Sequence, residues 1–136
     1  MKKILTILVI MLTLVIYSCT TEKKEAGVWV PFEKYTLENG LTVLLNVDKS
    51  DPIAAVAILY HVGSARETTG KTGFAHLFEH MMFQKSENVG EDQLFKLIQG
   101  AGGDLNGGTS QDVTMYYEVI PKNALEMVMW LESDRM

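Results

Sequence analysis

Five residues, His76-Leu77-Phe78-Glu79-His80, constrain the local structure more than any other stretch of the chain. An α-helix turns about 100° per residue, which sets His76 and His80 one turn apart on one face with Glu79 beside them. Phe74, Leu77, Phe78, Met81 and Met82 recur at helical spacing and make a broad apolar stripe on the opposite side. The pattern predicts an amphipathic helix that presses its stripe into a core and turns the polar trio toward a cleft. Two imidazoles one turn apart suit a Zn²⁺ ion, with metal–nitrogen bonds of ~2.0–2.1 Å. A carboxylate next to them can act as a general base toward water. The plainer alternative is a polar helix face that does nothing but meet solvent.

Length and composition set the frame for that helix. The 136 residues suit one small domain or part of a larger one, and 47% apolar content is enough for a core. Net charge is −5, and setting aside Lys2 and Lys3 leaves ten basic against 17 acidic side chains. No basic stripe is present to neutralise phosphates, which argues against nucleic acid as a partner. Cys19 is the only cysteine, so an internal disulfide framework and a cysteine-rich zinc site are both excluded.

Met1-Lys2-Lys3 is a short positive start, followed by an apolar run from Ile4 to Tyr17. That run is shorter than the ~20 residues a spanning helix needs, and it reads as a secretory signal over residues 1–18. It ends Val15-Ile16-Tyr17-Ser18-Cys19, which resembles the lipobox of bacterial lipoproteins. The resemblance implies cleavage before Cys19, lipidation of that residue, and an exported protein anchored by lipid to a membrane of the bacterial cell envelope. An ordinary cleaved signal with an incidental cysteine is the alternative. Residues 19–27 then form the lipidated cysteine and a polar tether, and the folded part runs over 28–136.

Within 28–136 the pattern predicts three strands, two helices, a fourth strand and a last helix, in that order. Glu38-Asn39-Gly40 between two β-rich runs predicts a hairpin, with both Asn39 and Gly40 suited to positive φ. Pro52 to Val62 is a near-continuous apolar run, read as a central strand buried on both faces, with His61 as a strand-end residue and not a ligand. The helix around His76 follows, then an amphipathic helix over about 91–101, stopped by Gly102-Gly103. Asp104 to Ser110 reads as irregular or extended, Val113 to Ile120 as a strand. Pro121 is expected in the first turn of a final helix with an apolar face of Ala124, Leu125, Val128, Met129 and Leu131. The fold class is α+β, a mixed or antiparallel sheet with helices packed on it.

Several separated pieces together resemble the M16 (pitrilysin/insulinase) metallopeptidases. They are Leu37 to Val43, Tyr60 to Glu67, Gly73 to Phe83, Asn106 to Ser110 with Asp112, Thr114 and Tyr116, and Trp130 to Met136. The resemblance implies the first part of an M16-type domain. It also implies that His76 and His80 bind Zn²⁺, that Glu79 is the catalytic base, and that Asn106, Gly107 and Gly108 meet an extended peptide substrate. In this family a glutamate roughly seventy to eighty residues past the helix completes the metal site. The sequence reaches only 56 residues past His80, and Glu118, Glu126 and Glu132 come too early to be that ligand. The chain is therefore expected to be the N-terminal part of a longer zinc endopeptidase acting on short or unstructured peptides. The 136 residues alone are expected to be inactive unless the missing C-terminal half or a partner M16 subunit supplies the ligand. A truncated homologue that binds peptides or a partner without cutting them is the other reading.

Overall fold

The computed structural model describes residues 29–136. The signal segment, Cys19 and the tether lie outside the described residues. What is described divides into two units, one ending at Val47 and one beginning at Asp48.

The first unit is a hairpin. β1 (Glu33–Thr36) and β2 (Thr42–Leu45) pair antiparallel, from Glu33 opposite Leu45 to Thr36 opposite Thr42. The Gly40 amide donates to the Leu37 carbonyl at 2.9 Å, and Gly40 takes φ +89°. Asn39 does not share the positive φ; its Oδ1 instead accepts the Leu41 amide at 3.1 Å. The Asn-Gly pair thus works as one left-handed residue and one side-chain acceptor, not as two left-handed residues.

The second unit runs β3 (Ile53–Tyr60), α1 (Phe74–Met82), α2 (Gln93–Gly100), β4 (Asp104–Thr109), β5 (Thr114–Pro121) and α3 (Leu125–Arg135). Its sheet has the order β3-β5-β4 and is antiparallel throughout. β5 is therefore the middle strand, and β3 is not the central strand its apolar run suggested. Every second residue of β3 is exposed, Ile53 and Leu59 among them, because the other sheet face carries no helix among the described residues. Residues 104–109, expected as irregular or extended, form a regular strand. Pro121 closes β5, and one tight turn (Lys122–Ala124) precedes α3, so the proline stands ahead of the helix.

The helices pack on the face of β5 that carries Thr114, Tyr116, Glu118 and Ile120. Ile98 of α2, Leu105 of β4, Tyr116 and Ile120 of β5, and Val128 and Leu131 of α3 make the core. At about 25 cal/mol per Å² of apolar surface removed from water, such side chains supply most of the driving force.

Set among them is a buried ionic group. Arg135 Nε and Nη2 donate to Glu132 Oε2 at 3.0 and 2.8 Å, and Nη2 also reaches Glu118 Oε1 at 3.2 Å. The guanidinium carbon lies 4.4 Å from the Tyr116 ring centre and 5.7 Å from that of Phe83. Two carboxylates share one cation here, and burial with Glu132 beside it pushes Glu118 up to about 8. Burial likewise pushes the Tyr116 phenol up to about 12.

Candidate active site

α1 forms where the sequence predicts it, but it turns a different face inward. Ala75, Glu79, Met82 and Phe83, at helical spacing, are the residues withdrawn from solvent, while Phe74, Leu77, Phe78 and Met81 are exposed. The expectation that the apolar stripe enters the core is corrected by one contact. Thr109, at the end of β4, donates its hydroxyl to Glu79 Oε2 at 2.5 Å. That charge-assisted bond lets a carboxylate sit against the sheet at 7% exposure. Thr109 in turn lies 3.2 Å from the Thr114 hydroxyl, which approaches the Val62 carbonyl at 3.2 Å.

His76 and His80 share the adjacent helix face, their ring centres 4.6 Å apart and both rings exposed. The donor set suits zinc, as two neutral imidazoles on one rigid turn are common ligands for that ion. A catalytic zinc site takes three protein ligands. Among the described residues no group of three His, Cys, Asp or Glu side chains is placed to hold a metal. The described residues thus bring together two imidazoles and a flanking carboxylate.

A cleft of about 560 Å³ opens beside them, lined on one side by Ser64, Glu67, His76 and Glu79 and on the other by residues 107–110. Gly107 and Gly108 are on its wall. Asn106 is not. It alternates onto the opposite sheet face, beside Tyr117 of β5, and its Oδ1 accepts the Gly107 amide at 2.9 Å. A Cβ on Gly107 would come within 2.9 Å of the Phe83 ring and 3.0 Å of Tyr116, so the strand passes under α1 without room for a side chain. β4 is an edge strand, and its free edge can pair with an extended chain.

The loop that delivers α1 is fastened at three places that sequence reasoning did not single out. Glu67 accepts the backbone amides of Gly73 and Ala75 at 2.7 and 2.8 Å, capping the helix, and those bonds hold its carboxyl below the usual range. Ser64 and Ala65 donate their amides to the carbonyls of Ser110 and Gln111 at 3.1 and 2.8 Å. Arg66 donates to Asp112 Oδ1 at 2.9 Å and also meets His61 Nε2. Gly63 is extended (φ −178°), yet a Cβ there would lie 2.6 Å from the backbone of Ser110 and Gln111. An acidic residue seven positions before a helix is too common to signal a cap, so sequence reasoning assigned Glu67 no such role.

Comparison with known proteins decides the family. Residues 42–134 match the model for the insulinase family, peptidase family M16. The chain belongs to family M16. Among its M16 relatives, the zinc protease PqqE of Helicobacter pylori is 38% identical over 105 residues, covering 76% of this chain and 24% of the relative. The probable mitochondrial-processing peptidase subunit beta of Schizosaccharomyces pombe is 36% identical over 102 residues, covering 75% of this chain and 22% of the relative. A crystal structure of a protease from Helicobacter pylori superposes with a TM-score of 0.76 at 33% identity, over 79% of this chain and 26% of that one. Pitrilysin does so with a TM-score of 0.73 at 26% identity, over 81% and 12%. The chain spans about a quarter or less of the length of these M16 proteins. Its α+β architecture is that of M16 protease domains.

Proposed function

We propose that this chain carries part of the catalytic centre of an exported zinc-dependent endopeptidase that hydrolyses short or unstructured peptides. The observation that carries the reading is His76 and His80 standing together on the α1 face, with the Glu79 carboxylate fixed beside them against the end of an open-edged strand. His76 and His80 would hold Zn²⁺, and a third ligand would come from outside the described residues. Bound there, zinc would supply a Lewis acid that polarises the scissile carbonyl and eases loss of a proton from water. Glu79 would take that proton and pass it to the leaving amine. Oε2 being held by Thr109, Oε1 is the oxygen free to do so. The free edge of β4 would pair with the substrate main chain, with Gly107 and Gly108 keeping the approach clear and Asn106 bonded to the strand's own backbone.

Export is supported by the apolar start of the sequence and by a structural relative described as a periplasmic protease, PqqL of Escherichia coli, at 26% identity. Lipidation at Cys19 would then fix the protein to an envelope membrane.

The test is made on the full-length protein from its native membrane, by metal analysis and by hydrolysis of an unstructured peptide. His76→Ala and His80→Ala are expected to lose both zinc and activity. Glu79→Gln is expected to keep zinc and lose activity by about 10²–10⁴-fold. A wild-type protein that binds peptide without cutting it, and without stoichiometric zinc, would instead establish a non-catalytic M16 homologue.

A further inference from the structure

Thr109 is placed to do more than close β4. Its hydroxyl has one proton, and it donates that proton to Glu79 Oε2 at 2.5 Å. Thr109 Oγ1 can then only accept from Thr114, whose own single proton is divided between Thr109 and the Val62 carbonyl, each at 3.2 Å. Thr114 is 2% exposed, so the inner end of this chain of hydroxyls sits away from competing water, while Thr109 stands on the cleft wall. It begins at the end of β3, crosses the last paired residues of β5 and β4 (Thr114 opposite Thr109), and finishes on the helix.

Two consequences follow from that placement. The carboxylate cannot rotate freely, since one oxygen is committed to a donor on the sheet. Its position is also tied to β4, the strand whose open edge lies along the cleft. A peptide paired with β4 is thereby set in register with the base.

We infer that Thr109 is a positioning residue that locks the Glu79 carboxylate to the end of β4, with Thr114 holding Thr109 in turn. The inference rests on Glu79 acting as the base in the reading above. A side chain that only filled space here would be replaced without loss by valine, which has the same shape and no hydroxyl. A side chain that orients the base would not.

The test uses the full-length protein carrying Thr109→Val, Thr109→Ser or Thr114→Val. Thr109→Val is expected to lower kcat by about 10–100-fold, as small misplacements of a reacting group do, with KM held within about twofold. Thr109→Ser should restore most of the rate, and Thr114→Val should fall between. A Thr109→Val enzyme with wild-type kcat, or a Thr109→Ser enzyme as slow as Thr109→Val, overturns the inference. A crystal structure of the Thr109→Val protein gives a readout without turnover: the Glu79 carboxylate is expected to leave the end of β4, and finding it unmoved overturns the inference. If the wild-type protein cleaves no peptide, the proposed function fails, while the position of Glu79 in that structure still decides whether Thr109 holds it.

Discussion

Arg135 reaches Glu118 inside the core, Nη2 to Oε1 at 3.2 Å, with Glu132 as the second claimant on the same guanidinium. Glu118 Oε2 and Arg135 Nη1 find no hydrogen-bond partner there. The folded state therefore favours a neutral Glu118, whose carboxyl is raised from 4.5 to about 8. A raised carboxyl contributes stability that is complete below its unfolded value and is lost as pH rises through the folded one. Urea midpoints are expected to fall between about pH 4.5 and pH 8. Glu118→Gln, neutral at every pH, should flatten that slope, and an unchanged slope would contradict the assignment.

At the acid end the sign reverses. Glu67 is lowered by the amides of Ala75 and Gly73, and Asp134 by Ser86 and Asn88. Each contributes stability above its unfolded value that disappears as pH falls through the folded one. Stability should drop below about pH 4, and Asp134→Asn should make that drop shallower in the same urea series.

Removing the carboxylate that caps α1 should loosen the first turn of the helix that carries both histidines. Glu67→Ala is expected to weaken zinc binding by about tenfold, the usual scale for groups that support metal ligands indirectly. Lys71→Ala, in the same loop with no cap to lose, should leave the affinity as it was. Competition with a chromophoric chelator measures both.

Gly63 tolerates no side chain, because its neighbours are backbone atoms that cannot step aside. Gly63→Ala is expected to cost about 1–3 kcal/mol in a denaturation experiment, as overpacking generally does. Gly108→Ala should be close to neutral, since nothing lies within 4 Å of the added carbon.

The sequence showed the α+β class, the hairpin turn at Gly40 and the helix over His76 to His80, because each depends on local periodicity or one backbone requirement. It misplaced the inward face of α1. Counting apolar residues picks Leu77 and Phe78, and only a hydroxyl thirty residues away makes Glu79 the better residue to bury. β3 was misread for a related reason. An apolar run tells how much surface wants cover, while strand order tells which surface receives it. Thr109, Glu67 and Gly63 belong to segments that carry the family resemblance, but their individual roles depend on partners brought near by the fold.

The amide bonds from Ser64 and Ala65 to the tip between β4 and β5, together with the Arg66–Asp112 pair, seam the loop before α1 to the strand that faces it. Both walls of the cleft are consequently joined by bonds that involve no metal ion. In a zinc finger the metal is the scaffold, and withdrawing it dissolves the structure. Here the joints are peptide backbone, so under the proposed function zinc would be stripped and reloaded by exchanging ligands at His76 and His80, with no refolding between the two.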